Sequence, residues 1–173
     1  MKAIVIYYSM LGNTEYVANY ISKKVNCDLL RIEPEKEYPT KGIGKFFHAG
    51  RSSVMEELPK LKEYRVDLDK YDYIIFGSPV WASNFVPPLR TFIKENKDKL
   101  VNKKISVFFS FSGGGADKAE EKLKDYLKIN KFENRLVLIN PKLKYKKEND
   151  AEIDKFCNSI KRWLYVSMFK NKY

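Results

Sequence analysis

The stretch Ala3-Ile4-Val5-Ile6-Tyr7-Tyr8-Ser9-Met10-Leu11-Gly12-Asn13-Thr14 joins two kinds of periodicity within a dozen residues. Ala3 to Tyr8 is a near-continuous apolar run rich in β-branched and aromatic side chains, the pattern of a strand covered on both faces. From Thr14 to about Lys24 the spacing changes. Val17, Ala18 and Ile21 fall on one side of a helix. Between them lies a short polar connection, so strand one feeds almost directly into a helix amino terminus. That is the first half of a βαβ unit.

The same alternation recurs along the chain. Leu29, Leu30 and Ile32 suggest a second strand, closed by Pro34. Tyr73-Ile74-Ile75-Phe76 forms a third, ending at Gly77. Ile105 to Phe109 is a fourth, and Leu136 to Ile139 a fifth, closed by Asn140-Pro141. Helices fill the gaps. One starts at Pro88, with proline in the first turn. Another runs from Ala116 to Leu127, and a last one carries Ile153, Phe156, Ile160, Trp163 and Leu164 as its inner stripe. Five strands alternating with helices predict an α/β fold with a parallel sheet and right-handed crossovers. Residues 35–71 break the rhythm and are too long for a bare loop. Gly42, Gly44 and Gly50 punctuate this segment, and Phe46, Phe47, Val54 and Met55 predict an amphipathic helix there, ended by Leu58-Pro59. The expectation is one domain over residues 1–173 with an inserted helical segment at about 40–60.

Composition narrows the function classes. The chain has 173 residues, 44% hydrophobic and 32% charged, as expected of one soluble globular domain. No apolar run approaches the roughly 20 residues of a membrane span. Met1 to Val5 reads as a strand start rather than a signal peptide. Cys27 and Cys157 form no C-x-x-C pair and, with the single His48, make no zinc ligand set. Buried inert thiols in a reducing cytoplasm are the expectation. The net charge is +11, with 16 basic and 13 acidic residues up to residue 100 against 17 and 9 beyond it. The excess is densest in Lys142-Leu143-Lys144-Tyr145-Lys146-Lys147. No nucleic-acid-binding module accompanies it, so nucleic acid is not an expected partner. A solvated lysine-rich face, or a docking surface for an acidic protein or anionic substrate, accounts for the charge. The segment from Trp163 to Tyr173 mixes apolar and basic residues. It reads as the last turns of the final helix, a dimer contact or a weak membrane-surface element.

In open α/β sheets, ligands bind beyond the carboxyl ends of the strands. Three loops sit there. Ser9 to Thr14 brings two hydroxyls, one amide and a flexible Gly12 to the amino end of a helix, where free N–H groups and the helix dipole favour an anion. No Lys or Arg lies within it, which suits one terminal phosphate held by neutral donors. The P-loop pattern and the G-x-G-x-x-G fingerprint are both absent. Gly77-Ser78-Pro79-Val80-Trp81-Ala82-Ser83-Asn84 is rich in small residues. There Ser78 and Ala82 permit close backbone approach, and Trp81 either packs or offers its ring to a planar ligand. In Ser110-Phe111-Ser112-Gly113-Gly114-Gly115-Ala116-Asp117, three consecutive glycines let backbone pass close to a flat ring.

Taken together, the loops describe a phosphate at one end and a planar heterocycle at the other. Tyr8-Ser9-Met10-Leu11-Gly12-Asn13-Thr14 resembles the first loop of the flavodoxin family. So do Tyr71 to Trp81 and the Ser112-Gly113-Gly114 stretch, and the likeness spans about residues 2–165. The resemblance implies a three-layer sandwich with a parallel sheet of order 2-1-3-4-5, helices on both faces, and FMN at the switch point. It implies that Ser9, Leu11, Gly12, Asn13 and Thr14 hold the phosphate, with Met10 in the same loop. Pro79, Val80, Trp81 and Ala82 would border the isoalloxazine on one side, and Ser112, Gly113, Gly114 and Gly115 on the other. The flavin would carry the chemistry, with no catalytic acid or base and no metal supplied by the chain.

Two activities follow: a carrier that docks a redox partner protein, and an FMN-dependent oxidoreductase passing electrons from a nicotinamide to a quinone-type acceptor. Carriers of this family are typically acidic, and this chain is basic. The third loop lacks an aromatic after Phe111, which leaves the ring open to substrate, or to cover by Phe46, Phe47 or His48. A cofactor-free binding domain on the same sheet is the alternative of another class. A receiver domain is excluded because Tyr8-Ser9 and Gly77-Ser78 stand where its acidic residues would be. A C-x₅-R phosphatase is excluded because Glu33 stands six residues after Cys27. The protein is expected to be a monomer or homodimer without stable membrane insertion.

Overall fold

The computed structural model describes residues 1–39, 51–144 and 146–170. Its elements are β1 (Ala3–Tyr7), α1 (Asn13–Val25), β2 (Asp28–Arg31), β3 (Tyr73–Pro79), α2 (Pro87–Glu95), the short α3 (Lys97–Leu100), β4 (Lys104–Phe111), α4 (Ala116–Leu127), β5 (Arg135–Ile139) and α5 (Lys147–Lys170). The five strands form one sheet of order β2-β1-β3-β4-β5, and every pairing is parallel. This is the doubly wound order implied by the resemblance.

The continuous apolar strands are explained by helices on both faces. Ile4, Ile6, Ile74, Phe76, Val107 and Phe109 point to one side, against Leu89 and Phe92 of α2 and Ala119 and Leu123 of α4. Their neighbours Val5, Tyr7, Tyr73, Ile75 and Phe108 point to the other, against Val17, Ala18 and Ile21 of α1 and Ile153, Phe156 and Ile160 of α5. Removing both faces of a strand from water requires apolar residues at consecutive positions, with no alternation.

The strands run further than local pattern suggests. β3 continues through Gly77, Ser78 and Pro79, because these pair with Phe108, Phe109 and Ser110 of a longer β4. The third loop therefore loses Ser110 and Phe111 to the strand. Of the helix expected between strands two and three, residues 51–54 form a helical turn, and residues 40–50, with Phe46, Phe47 and His48, lie outside the described residues. The expected apolar face is reversed in the part described. Val54 and Met55 are exposed, whereas Ser52 and Ser53 are buried. Polar ties hold this turn inward, one through the Ser52 side chain and one through the Ser53 backbone. Ser52 Oγ donates to the Tyr38 hydroxyl at 3.4 Å, and Asn84 Nδ2 donates to the Ser53 carbonyl at 2.9 Å.

Both cysteines are free thiols. Burial pushes Cys27 up to about 12 and Cys157 up to about 11, so both stay protonated and unreactive near neutral pH.

Candidate functional site

A cleft of about 470 Å³ opens at the carboxyl ends of β1, β3 and β4. That volume lies within the roughly 300–1,000 Å³ of small-molecule sites. All three loops reach it. Ser9, Met10, Leu11, Asn13 and Thr14 line one end; Pro79, Val80, Trp81 and Ala82 form one wall; Ser112, Gly113 and Gly114 form the other. Ser83, Ser110 and Phe111 also line it and were not among the expected residues. Ser110 and Phe111 reach it because β4 extends further than its apolar run, and Ser83 because it stands in the turn next to Ala82. Gly12 and Gly115 do not line the cleft and serve instead as turning points.

Gly12 takes φ +84 and starts α1 with no side chain capping it. The first-turn N–H groups of α1 therefore have neither an intrahelical acceptor nor a side-chain cap. The N–H groups of Met10 and Leu11 find no protein acceptor among the described residues. Ser9 Oγ accepts the Gly12 N–H at 3.1 Å, which leaves its own proton to donate. Thr14 Oγ1 and Ser110 Oγ share a buried hydrogen bond of 2.8 Å that ties this loop to β4. The donor set suits a terminal phosphate.

Asn13 also ties this loop to a distant part of the chain. Its Oδ1 accepts backbone N–H groups from Lys142 at 3.0 Å and Leu143 at 3.4 Å, so it clamps the segment after β5 onto α1. That clamp brings a lysine to a loop that reads as cation-free. A methyl group on Gly12 would lie 2.9 Å from Lys142 Nζ. Lys142 pairs with no carboxylate among the described residues. Its only sequence signal is membership of the densest basic run.

The second loop turns sharply. Trp81 and Asn84 exchange N–H···O bonds of 3.0 Å in both directions around Ala82 (φ +49) and Ser83 (φ +55). Two adjacent left-handed residues make a turn of the I′ type, here without glycine. Each non-glycine residue in that region costs roughly 1–2 kcal/mol, and buried anchors hold the turn. Asn84 Oδ1 accepts from the Phe85 N–H at 2.9 Å and from Arg90 Nη2 at 3.4 Å. Arg90 is itself buried, with its guanidinium 4.4 Å from the Phe85 ring centre and 4.6 Å from that of Tyr126. Ser78 does not offer backbone to the cleft. It is fully buried, accepting from Val86 N–H at 3.2 Å and donating to the Pro79 carbonyl at 2.8 Å. Trp81 is only 8% exposed. Its ring meets those of Tyr38 and Tyr8 edge-on, at centroid distances of 5.0 and 5.7 Å. Most of the indole is thus packing, and a remainder borders the cleft. Burial first, and the Tyr38 phenol second, raise the Tyr8 phenol well above its ordinary range.

The opposite wall is made of backbone. Side chains added at Gly113 or Gly114 would meet nothing within 4 Å. Ser112 Oγ donates to Asn140 Oδ1 at 2.7 Å and fixes the base of this loop on the segment after β5. Gly115 takes φ +89, and a Cβ there would lie 2.3 Å from Ser83 Oγ and 2.9 Å from Ser83 Cα. The two walls touch at that point. The cleft lining holds no carboxylate, lysine, arginine, histidine or cysteine among the described residues. Such a lining offers hydrogen bonds and close packing to whatever it binds.

A doubly wound parallel sheet with a neutral, hydroxyl-rich cleft at its switch point defines a nucleotide-type binding protein. The flavodoxin family model matches residues 2–160, and the chain belongs to that family. Among solved structures, it is similar to a flavoprotein from Lactobacillus acidophilus in complex with FMN, at 19% identity over 90% of this chain and 97% of that one, with a TM-score of 0.71. A protein from Bacteroides eggerthii, provisionally named a flavoprotein, is 25% identical over 90% of this chain and 97% of that one, with a TM-score of 0.68. Oxidised flavodoxin 1 from Bacillus cereus is 19% identical over 92% and 96%, with a TM-score of 0.58.

Proposed function

We propose that the protein binds FMN and transfers electrons through it. The observation that carries this reading is one cleft with two unlike ends: uncapped N–H groups and hydroxyls at the head of α1, and a slot between Trp81 and Gly113-Gly114. Membership of the flavodoxin family, and the FMN held by the Lactobacillus relative, support it. Ser9, Met10, Leu11, Gly12, Asn13 and Thr14 form the phosphate end. In this assignment Gly12 sets the turn and Asn13 braces it. Pro79, Val80, Trp81 and Ala82 border one side of the isoalloxazine. Ser112, Gly113 and Gly114 border the other, with Gly115 holding the loops together. When bound, the flavin takes up and releases electrons one or two at a time. The chain's own residues hold the phosphate end and orient the ring between the two loops.

The carrier form of this activity has a redox protein as partner. The unshielded Gly113-Gly114 rim favours a second form, an oxidoreductase in which a nicotinamide or quinone-type acceptor meets the ring directly. Either form fits a cytoplasmic monomer or homodimer. Purified protein with added FMN should show shifted flavin absorbance bands and quenched flavin fluorescence. Stepwise reduction then separates the forms: uptake of single electrons supports the carrier, and direct two-electron uptake with turnover of nicotinamide and quinone supports the oxidoreductase. A flavin that stays free in solution at all concentrations refutes the assignment and leaves a cofactor-free binding domain.

A further inference from the structure

α5 is longer than the sheet it packs on. Its 24 residues span about 36 Å, against roughly 23 Å for the 7 residues of β3. It runs alongside α1, with Tyr16 facing Asp150 near the cleft and Tyr20 and Lys24 facing Asp154 further down. Trp163 then meets the ring of Tyr73, the first residue of β3, at 5.0 Å. Beyond Trp163 the helix overhangs the amino ends of the strands, at the pole opposite the cleft.

The overhang is apolar where the core does not need it. Tyr165, Val166, Met168 and Phe169 are 65%, 43%, 51% and 49% exposed. Phe169 lies nine residues past the buried Ile160, about 180° around the helix, so it faces directly away from the core. Tyr165 sits beside it, with ring centroids 4.8 Å apart. Basic residues flank this patch. After Asp154 the sequence holds five basic and no acidic residues. Lys155, Lys161 and Arg162 are exposed, and none makes an ion pair within 4.0 Å among the described residues. Among those residues no helix is long and apolar enough to cross a membrane.

We propose that the outer face of the last turns of α5 docks on an anionic lipid bilayer. Aromatic and aliphatic side chains beside the unpaired Lys161 and Arg162 are what enters the headgroup boundary of such a surface, with Tyr165 placing its ring in the apolar layer and its hydroxyl at the headgroups. A two-fold contact with a second copy would gather the basic residues of both chains at one interface, with no acidic residue after Asp154 to offset them, and that repulsion disfavours it. Docking at this pole leaves the cleft facing the aqueous side, open to a partner.

Flotation of the full chain, loaded with FMN, on vesicles of equal parts phosphatidylglycerol and phosphatidylcholine tests the proposal. Binding is expected at low salt, at least about tenfold weaker on pure phosphatidylcholine and weakened as salt rises. Y165S/F169S and K161Q/R162Q should each lose about tenfold. Circular dichroism and flavin absorbance should stay unchanged, because none of these side chains is buried. Three results would overturn the proposal: no vesicle binding above background, binding that both variants retain, or binding indifferent to lipid charge. A dimer in lipid-free sedimentation that Y165S/F169S dissociates would overturn it too and assign the face to a second copy. Release of the chain from vesicles by a soluble acidic protein competing for Tyr165 and Phe169 would assign it to that partner instead.

Discussion

Replacing Gly115 by alanine tests whether the two walls of the cleft are held by one close approach. The new Cβ has two separate problems. At φ +89 an L-residue sits in the left-handed region, at roughly 1–2 kcal/mol. The methyl would also fall 2.3 Å from Ser83 Oγ, 2.8 Å from Ser83 Cβ and 2.9 Å from Ser83 Cα. The last is backbone in a turn held by two reciprocal hydrogen bonds, so it yields poorly, and overpacking of this kind costs about 1–3 kcal/mol. Gly115→Ala should therefore destabilise the apo-protein by about 2–5 kcal/mol in urea unfolding at unchanged m-value. Ser83→Gly removes the clash with Oγ and Cβ, while the crowding against the Ser83 backbone and the φ cost remain. In that background Gly115→Ala should cost about 1–2 kcal/mol less, which a double-mutant cycle reads as coupling. FMN affinity should fall at least about tenfold in the single variant, because the walls are forced apart, and recover partly in the double. A Gly115→Ala protein that unfolds at the wild-type urea concentration, or a cost identical in both backgrounds, would mean that the two walls are not held by this contact.

Other outcomes follow from single residues. Lys142→Gln should weaken FMN by about three- to tenfold while leaving riboflavin affinity unchanged, and the difference should shrink at high salt, as measured by flavin fluorescence titration. Asn84→Ala strands the Phe85 N–H, the Ser53 carbonyl and part of Arg90 in a buried site, so urea unfolding should show a loss of about 2–4 kcal/mol. Both thiols are raised by burial, to about 12 for Cys27 and about 11 for Cys157. Above about pH 9 the unfolded chain releases these protons and the folded chain retains them, so stability should fall as pH rises from about 9 toward 11. Thiol labelling at about pH 8 should be slow in the folded protein and rapid in urea.

Much of the site was legible because its parts are local. The run from Ala3 to Tyr8, the hydroxyls of Ser9 and Thr14, and Gly113-Gly114 stand within single loops, and neighbours in sequence decide what they do. The rest depends on partners that come from afar. Asn13 reads as a ligand donor, and what the sequence hides is that its Oδ1 is taken by backbone 129 residues away. Trp81 reads as either packed or offered to a ligand, and only Tyr8 and Tyr38, brought in by the fold, decide for packing of most of its ring. Ser78 reads as a place for close ligand approach, yet it holds Val86 from behind the loop. Val54 and Met55 read as an inward face, yet Tyr38 takes the Ser52 hydroxyl and Asn84 the Ser53 carbonyl, and the two serines face inward instead.

Local pattern was enough to specify the alternation of strands and helices, their parallel arrangement, and the chemistry of the loop at the head of α1. Those depend on side-chain periodicity and on helix-terminus polarity, both set within a few residues. Three features came from the packed molecule alone: Lys142 stands over Gly12, Gly115 must lack a side chain to admit Ser83, and α5 overhangs the sheet with its aromatic face turned outward. Each of these depends on how far one element extends past another, and packing of the whole sheet sets that distance.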